Sequence, residues 1–431
     1  MVTRLSLDDL VSGGSVDRDA IGSWINRNLS GLFLEGPGAA VLAKDLLGGQ
    51  SQADLALARL TVTGYAQRRS RVSPETERGA TMLSPYIRHG LLTLREVYDA
   101  VSDVPAKDRD RYVDELLWQE YSRHLYNNVG RAMRSSLRYD RQTLSSPRDD
   151  GRPVELESWA DSPMVCLRRV EEELQQRGWI VNQTRMWYAS HWAVRSGHSR
   201  VSGEDHFFRH LLDGSRSANG LGWQWVNGEM TGKVYGFSRS QVERQAPDWC
   251  SQCSLALSCP IENFPSSPPT ILRKAVTYAK VREDLGPADL QVSKEVNPSA
   301  IWLTGEFLSL RQGALVDYPD LPAVFIFDRT LLQKLQLSSK RLGFLLETLA
   351  EISAARELEL YLGDPIEGLA GRPLVTTWTP VPGWKRYAEK LCPVVIYPWP
   401  WLVRSRGAVS LNSYSAWRSS SPLMIERSPV G

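Results

Sequence analysis

Four short apolar runs in the last third of the chain restrict the fold more than any other feature of the sequence. They are AIWLTG (300–305), AVFIFD (323–328), LELYLG (358–363) and PVVIY (393–397). Runs of this length with few charges are typical of strands that are buried on both faces of a parallel sheet. Between the second and third runs, apolar residues at helical spacing predict a helix over Lys340 to Arg356. Strands that alternate with helices predict a Rossmann-like α/β domain.

The first 265 residues have a different character, because their apolar residues recur at helical spacing and no strong strand pattern precedes residue 270. The polar segment SPRDDGRP (146–153) predicts a loop, and FPSSPPT (264–270) predicts a domain boundary. We therefore expect an all-helical domain over residues 1–265, a connector over 266–298 and the α/β domain over 299–431.

Composition is that of a globular protein, with 42% hydrophobic and 23% charged residues among 431. No stretch approaches the roughly 20 apolar residues of a membrane span, and the N-terminus lacks the apolar region of a secretion signal. We expect a cytoplasmic protein without a membrane partner, and a monomer. The net charge of +2 neither requires nor excludes nucleic acid, so a basic surface would have to be a local patch.

The five cysteines indicate a metal site. Cys250, Cys253 and Cys259 lie within ten residues, and Pro260 follows the last of them. An odd number of cysteines in a cytoplasmic chain argues against a disulfide framework. Bacterial iron–sulfur segments also tend to end in Cys-Pro, whereas zinc accepts four thiolates equally well, so both metals stay open. Cys392 is interpreted as a core thiol.

One segment of the helical part gathers groups that could hold a planar, charged ligand. Trp179, Asn182 and Arg185 share roughly one helix face, since they are spaced by three residues. An amide and a guanidinium on one face can hydrogen-bond such a ligand. Asp213 and Asn219 flank a Gly/Ser turn further along, where polar side chains are often free to bind.

Four motifs, in order, resemble the flavin-binding domain of the photolyase/cryptochrome family. They are GATMLSPYIRHG (79–90), ELLWQEYSRHL (115–125), GWIVNQTRMWYAS (178–190) and LLDGSRSANGLGWQW (211–225). The family carries T-S-x-L-S-P-Y, W-x-E-x-x-R-H, G-W-x-x-N-x-x-R-M and D-G-D-x-x-x-N-x-x-x-W-Q-W at these places. Two positions depart from the family pattern, since Ala80 replaces a threonine and Ser215 replaces the second aspartate.

The resemblance implies an FAD cofactor bent into a U and a set of residues that contact it. The implied FAD-binding residues are Tyr65, Thr81, Leu83, Ser84, Trp118, Arg123, Trp179, Asn182, Arg185, Asp213, Ser215 and Asn219. Within this set, Thr81, Leu83 and Ser84 would hold the phosphates and the ribityl chain, and Asn219 would face the reactive N5 atom of the flavin.

The same resemblance implies repair of ultraviolet-damaged DNA by light-driven electron transfer. Glu120 and Trp225 match the carboxylate and the stacking tryptophan that receive the flipped lesion. Trp223 matches the flavin-proximal member of the tryptophan relay that reduces the flavin, and the four catalytic residues are thus Glu120, Asn219, Trp223 and Trp225. Arg200 stands near the position of the middle relay tryptophan, so the usual relay is interrupted; Trp187, Tyr188 or Trp192 could substitute.

The iron–sulfur bacterial subgroup of the family places one cysteine before G-W and three after W-Q-W. By this resemblance Cys166 joins Cys250, Cys253 and Cys259 as ligands of a 4Fe-4S cluster with a structural role. The family begins with an α/β domain that holds an antenna pigment, and similar text opens here at residues 300–315. A circular permutation is therefore expected, with the FAD domain first, and a pigment is possible but unidentified.

Three functions remain open at this stage: a DNA repair lyase, a blue-light receptor of the cryptochrome type, and a dark iron–sulfur protein with a vestigial flavin site. A repair enzyme needs a basic rim that holds phosphates around the flavin cavity. The candidate rim residues are Arg88, Arg131, Arg134, Arg138 and Arg239.

Overall fold

The structure, a computed structural model, describes residues 2–12, 14–141, 159–262, 270–272, 281–293, 296–405, 407–420 and 424–425. Part of the predicted connector over 266–298, most of FPSSPPT (264–270) and the whole predicted loop over 146–153 lie outside the described residues. No helix in the described ranges combines the length and the apolar character that crossing a membrane requires.

Helices dominate the described residues up to 262. They are α1 (Arg18–Asn28), α2 (Gln50–Ala58), α3 (Tyr65–Arg68), α4 (Ser84–Arg88), α5 (Leu94–Asp99), α6 (Ala106–Val129), α7 (Val165–Arg177), α8 (Asn182–Ala189), α9 (Arg200–His210), α10 (Ala218–Val226), α11 (Arg239–Gln245) and α12 (Pro247–Ser251). Short strands in the same range are β1 (Thr3–Leu5), β2 (Val11–Ser12), β3 (Ser15–Val16) and β4 (Tyr139–Arg141).

Strands and helices alternate in the second half. The strands are β5 (Thr270–Leu272), β6 (Val281–Arg282), β7 (Gln291–Val292), β8 (Ala300–Leu303), β9 (Ala323–Asp328), β10 (Leu358–Gly363), β11 (Leu374–Thr377), β12 (Val395–Tyr397), β13 (Val403–Arg404), β14 (Ala408–Val409) and β15 (Met424–Ile425). The helices are α13 (Ala314–Asp317), α14 (Arg329–Leu335), α15 (Ser339–Ala355), α16 (Pro365–Leu369), α17 (Pro382–Leu391) and α18 (Tyr414–Ser419).

A seven-stranded sheet organises the second half, in the order β1-β10-β9-β8-β11-β12-β7. The five central strands are parallel, with Leu360 opposite Phe325 and Trp302 opposite Val324. The four predicted apolar runs supply β8, β9, β10 and β12, so the expected parallel α/β sheet is confirmed. All residues of β8 are buried, as expected for a strand covered on both faces.

Local chemistry explains where the elements begin and end. The Asp17 carboxylate caps α1 by accepting from the amides of Asp19 and Ala20, and Thr93 and Glu96 form a reciprocal capping box on α5. Gly178 ends α7 in a left-handed conformation at φ 64°, where a Cβ would lie 3.0 Å from the His210 carbonyl oxygen. This turn sends the chain directly into α8, which carries part of the candidate site.

The prediction of an all-helical first part needs correction near its N-terminus and around residue 140. Strand β1 adds antiparallel to β10 at the edge of the large sheet, with Arg4 opposite Tyr361. Strand β4 pairs with β5, and β2 pairs with β3 as a hairpin. These strands are two or three residues long and lack apolar alternation. Pairing with a neighbouring strand stabilises them, and burial of one face does not.

The two halves of the chain share one hydrophobic core. A single buried cluster joins Trp24 and Phe33 of the first half with Leu346, Leu349 and other residues of α15 and the sheet. A second cluster surrounds α7 to α12, and a third lies on the other face of the sheet. The five parallel strands follow the helices α1 to α12 along the chain, but β1 precedes those helices and belongs to the same sheet. The domain order and the domain limits 1–265 and 299–431 stay predictions.

Candidate functional site

Two of the four motifs meet where the start of α4 contacts the turn between α7 and α8. The Trp179 indole nitrogen donates a hydrogen bond of 3.0 Å to Ser84 Oγ. Beside this contact, Thr81 Oγ1 lies 3.1 Å from the Tyr112 hydroxyl, and the Tyr65 ring packs edge-on against Tyr112 at 5.0 Å. The Ser84 hydroxyl thus contacts Trp179, which was expected to contact FAD, whereas the Thr81 hydroxyl contacts Tyr112, which the prediction did not include.

A paired charge links the third motif to the fourth. Arg185 donates two hydrogen bonds to Asp213, at 3.2 Å to Oδ1 and 2.9 Å to Oδ2, and its Nε donates to the Ile180 carbonyl at 3.0 Å. The side chains are 23% and 7% exposed, so the pair is largely screened from water. A bidentate pair of this kind fixes the orientation of both groups.

Two further arginines converge on the turn after Asp213, and sequence analysis missed their role. Arg88 Nε donates to the Gly214 carbonyl at 3.1 Å, and Arg341 donates to the same oxygen at 3.0 Å. Burial and the nearby Arg88 charge lower the pKa of Arg341 to about 9. Arg341 lies on α15 of the other half of the chain, so helical spacing alone could identify it only as part of a core helix.

Helix α6 is covered by the C-terminal segment, which comprises the described residues from 399 to 420. Trp118 stacks on Tyr414 with centroids 5.6 Å apart at an interplanar angle of 21°. Arg123 donates to the Ile87 carbonyl at 3.1 Å and lies over the Trp399 ring at 5.5 Å. The two expected FAD-cavity residues of this motif therefore contact α18 and the segment after β12.

Glu120, the expected lesion-binding carboxylate, is fully buried under the same segment. Its Oε1 accepts a 2.9 Å hydrogen bond from the Val403 amide and lies 3.9 Å from His124 Nε2. His124 Nδ1 in turn lies 2.8 Å from the Glu283 carboxylate. Burial raises the pKa of Glu120, and the His124 charge and the Val403 amide oppose that rise. In this arrangement Glu120 joins α6 to β13.

The remaining predicted polar residues are placed apart from the Arg185–Asp213 pair. Asn219 Nδ2 donates to the Glu204 carbonyl at 3.1 Å, and Ser215 Oγ accepts from the Ala218 amide at 3.2 Å. Asn182 is exposed. Leu83 is buried in the core next to the Ser84 loop. The structure therefore joins Ser84 to Trp179 and Arg185 to Asp213, whereas the Asn219 side chain is engaged elsewhere.

The tryptophans of the fourth motif have different environments. Trp223 is buried and contacts Phe207 edge-on at 5.1 Å, whereas Trp225 is half-buried against Tyr235 at 5.6 Å. Arg200, at the position expected for the middle relay tryptophan, is buried and donates to Glu229 at 3.0 Å. It cannot carry an electron as an indole would.

The five candidate arginines of a basic rim lie in three separate places. Arg88 pairs with Glu306 between the two halves of the chain, and Arg239 pairs with Glu243 beside the cysteines. Arg134 forms a bidentate pair with Asp205, Arg138 donates to the Met230 carbonyl at 3.2 Å, and Arg131 is exposed. Carboxylates thus neutralise three of the five expected phosphate contacts.

The four predicted metal ligands line a single cavity. Cys166, Cys250, Cys253 and Cys259 surround a space of about 360 Å³ that includes open solvent, together with Trp249. All five cysteines of the chain are described and are free thiols. Burial and the three neighbouring thiols raise the pKa of Cys166 to about 12.

In the described parts, no group of three or more His, Cys, Asp or Glu side chains is arranged to hold a metal ion. The four cysteines line the same cavity without forming such a group. Cys392 is exposed, which corrects its interpretation as a core thiol.

Residues 112–249 match the family model for the FAD binding domain of DNA photolyase. This part of the chain is therefore similar to the FAD-binding domain of DNA photolyases. Tyr65, Thr81, Leu83 and Ser84 precede the matched residues.

Curated relatives are also similar to part of the chain. A deoxyribodipyrimidine photo-lyase of Thermus thermophilus is 30% identical over 167 residues, which cover 38% of each chain. The enzyme of that name from Buchnera aphidicola subsp. Baizongia pistaciae is 27% identical over 156 residues, 34% of this chain and 32% of its own. The matched region thus spans well under half of either relative. A class III photolyase from Agrobacterium tumefaciens is 22% identical and covers 46% of this chain and 43% of its own, with a TM-score of 0.40.

Proposed function

We propose that this protein binds FAD in its helical part and uses blue light to repair ultraviolet-induced pyrimidine lesions in DNA. The observation that supports this most is the Arg185–Asp213 pair, held beside the Trp179–Ser84 contact within and next to the matched FAD-binding domain. In this proposal the light-excited reduced flavin supplies the electron that splits the lesion.

The residues of the chain would bind and orient the cofactor. Arg185, fixed by Asp213, would offer its guanidinium to a planar polar ring. Thr81 and Ser84 offer hydroxyl groups for the phosphates, and the two arginines on the Gly214 carbonyl add positive charge on the same turn. Seven further residues complete the proposed set of FAD-binding residues: Asn219, Ser215, Asn182, Trp118, Arg123, Leu83 and Tyr65.

Substrate contact is the step that the described arrangement restricts. Trp225 is half-buried and can present an aromatic face to a flipped base. Glu120 could meet a lesion only after the Val403 amide releases its carboxylate. Repair therefore requires the segment around β13 to move away from α6.

The direct test is repair of an ultraviolet-damaged oligonucleotide by the purified, chemically reduced protein, with and without blue light. We expect flavin absorption bands and light-dependent loss of the lesion. The Asp213→Asn variant should bind FAD more weakly and repair less. Full flavin binding without repair of either cyclobutane dimers or 6–4 products would contradict the repair proposal. The same result would support the proposed flavin site.

A blue-light receptor without repair activity is the second candidate, and the covered face of α6 favours it. Tyr414, Trp399 and Val403 occupy the face that a lesion would approach, and carboxylates neutralise Arg88, Arg134 and Arg239. A receptor needs a segment that can be released when the flavin changes charge. Light-dependent proteolysis of residues 399–420 in flavin-loaded protein, without repair, would support this candidate.

We further propose that the four cysteines hold a 4Fe-4S cluster with a structural role. Cys166 lies on α7, Cys250 lies on α12 and the other two follow it, so a cluster would tie the end of the helical part to its core. Zinc is the competing occupant, and metal analysis of the purified protein distinguishes the two.

Other parts of the proposal follow from the resemblance. They are damaged DNA as the partner, a circularly permuted domain order, a cytoplasmic monomer and an antenna pigment of unknown identity. The carboxyl ends of β8 and β11, which border a cleft lined by Thr304, Thr376 and Thr377, are where such a sheet usually binds a ligand.

A further inference from the structure

The connection between α9 and α10, residues 211–217, carries Asp213 and is held from the other half of the chain. Arg341, in the first turn of α15, donates one hydrogen bond to the Gly214 carbonyl at 3.0 Å and another to the Phe208 carbonyl. Arg341 is 6% exposed. Its planar guanidinium is therefore enclosed, and it joins the last turn of α9 to the connection that follows.

Gly214 permits this approach because it has no side chain. A Cβ at this position would lie 2.8 Å from Arg341 Nη1 and 2.9 Å from the Leu211 carbonyl oxygen. Atoms at such separations overlap, so any other residue would displace the guanidinium or the backbone of the connection. The contact therefore depends on a glycine in the connection and an arginine opposite it.

Arg341 is itself fixed in place at the start of α15. The Ser338 amide donates to the Arg209 carbonyl at 2.9 Å, and the Ser339 amide donates to Glu35 at 2.8 Å. The beginning of the helix is thus hydrogen-bonded both to α9 and to the segment between α1 and α2. These contacts hold Arg341 where its side chain reaches the connection.

The Phe208 ring contacts two guanidinium groups. Cζ of Arg341 lies 4.7 Å from the ring centroid, and Cζ of Arg216, near the far end of the connection, lies 4.0 Å from it. Arg216 pairs with Glu204 at 3.1 Å and with Asp205 at 2.6 Å, both on α9. The connection is therefore attached at two points, to α15 through Arg341 and to α9 through Arg216.

Arg88 of α4 shares the Gly214 carbonyl, to which it donates at 3.1 Å. Arg88 also pairs with Glu306, which follows β8. The two arginines thus tie the same oxygen to different elements. Arg341 additionally holds the Phe208 carbonyl, so it fixes the connection relative to the helix that precedes it.

We propose that Arg341 is a positioning residue of the flavin site, which fixes the connection so that Asp213 orients Arg185. The inference rests on the FAD binding of the proposed function. Gly214 directly follows Asp213, so a shift of the Gly214 carbonyl moves the carboxylate that holds Arg185 at 2.9 Å. Arg341 follows residues 112–249, which match the FAD-binding family model. In this proposal the site is complete only when α15 is packed against the helical part.

The first measurement, hydrogen–deuterium exchange, does not depend on FAD. The Gly214 amide donates to the Leu211 carbonyl at 2.9 Å, and this hydrogen bond protects it from exchange. Arg341→Gln should raise the exchange rate of peptides over 211–217 by about fivefold or more, because glutamine has no guanidinium that spans two carbonyl oxygens. Peptides from β9 should be unchanged.

Arg356→Gln is the matched control. Arg356 follows the last residue of α15 and donates to the Leu315 carbonyl at 2.7 Å and to the Tyr318 carbonyl at 2.8 Å. The substitution removes an arginine that holds two backbone carbonyls, but at the other end of the same helix. It should lower stability and leave both the exchange over 211–217 and the FAD affinity unchanged.

The second measurement is the dissociation constant of FAD, from quenching of FAD fluorescence. Arg341→Gln should weaken FAD binding about tenfold. Arg341→Lys keeps the positive charge but reaches one carbonyl at a time, so it should weaken binding about threefold. If Arg341→Gln does not fold, the same two measurements on Arg341→Lys decide the inference.

The outcomes separate this inference from the proposed function. If the unsubstituted protein binds no FAD, the proposed function fails and the inference fails with it. If the unsubstituted protein binds FAD, equal affinity in folded Arg341→Gln, or unchanged exchange over 211–217, would overturn the inference alone. An equal loss of affinity in Arg356→Gln would also overturn it, because the effect would then come from lower stability.

Discussion

At the scale of single residues, the candidate site is organised by charges whose partners come from distant parts of the chain. Arg185 pairs with Asp213, which lies 28 positions later in the chain. The Gly214 carbonyl accepts hydrogen bonds from Arg88 and Arg341. Each contact fixes a side chain that is too long and mobile to be oriented by its own helix.

Asp213→Asn should weaken FAD binding roughly 10- to 100-fold. The amide cannot balance the Arg185 charge, and a largely buried guanidinium without its carboxylate is costly. The binding constant can be measured by quenching of FAD fluorescence. Asp9→Asn is the control, because Asp9 pairs with Arg27 where both side chains are more than half exposed. Equal affinity in the two variants would show that the pair does not contribute to the flavin site.

Sequence motifs could predict the Arg185–Asp213 pair but not the position of Glu120. The pair lies within two matched motifs, so resemblance places both partners. The burial of Glu120 depends on Val403, which is 283 positions away and belongs to no motif. Long-range cover of this kind leaves no periodic signal in the sequence.

At the scale of elements, α9 and α10 cross so closely that one position accepts only glycine. The Trp223 ring of α10 occupies the space where a Cβ of residue 203 would stand. Gly222 of α10 has open space around it instead, with no heavy atom within 4 Å of its Cβ position. The two helices thus provide a matched pair of glycines.

Gly203→Ala should destabilise the protein by about 1–3 kcal/mol, because the added methyl group forces an indole out of position. Gly222→Ala should instead stabilise it by roughly 0.5–1 kcal/mol through the better helix propensity of alanine. Urea unfolding measures both. Similar effects of the two substitutions would contradict the close crossing.

The C-terminal end of α4 contacts the segment after β8 through a buried histidine, which makes stability depend on pH. His89 Nδ1 lies 2.8 Å from the Gly305 carbonyl oxygen. Burial, with the Arg88 and Arg341 charges nearby, lowers the pKa of His89 from 6.5 to about 3. The folded state therefore holds His89 neutral, and its contribution is complete above pH 6.5 and is lost as the pH falls toward 3.

Between pH 6.5 and 5, the unfolding free energy of the unsubstituted protein should fall by about 2 kcal/mol more than that of His89→Gln. Glutamine can still donate to the Gly305 carbonyl but cannot take up a proton. Unfolding free energies at several pH values in this window give the slope. Buried His191 and His210 also have lowered pKa values, so the difference between the two proteins is the quantity that decides. Identical slopes would mean that His89 titrates as an ordinary histidine in the folded state.

The strands show how far apolar patterning predicts elements. β8, β9, β10 and β12 were predicted because each contains a run of apolar residues longer than a helical face would give. β11, with the sequence LVTT, was missed because half of it is threonine, although all four residues are buried. Its Thr376 hydroxyl is satisfied by the Trp302 carbonyl at 3.0 Å, which sequence alone cannot reveal.

At the scale of the whole molecule, the cysteine cavity is where a bound group would contribute to folding. Cys166→Ser should remove the proposed cluster, with loss of about four iron atoms per chain and of its broad visible absorption, and should lower the melting temperature. Cys392→Ser, at an exposed thiol, should change none of these quantities. Zinc in the purified protein, or iron that survives in Cys166→Ser, would contradict the cluster proposal.

The edge pairing of β1 with β10 has a consequence for how the molecule behaves when its chain is cut. The first strand of the polypeptide is hydrogen-bonded into the sheet built by the last third, and the core between them is continuous. A protease that cleaved between residues 262 and 296 would thus produce two fragments on a denaturing gel but a single particle in solution. For the same reason, the two halves expressed as separate polypeptides should associate and form the same fold.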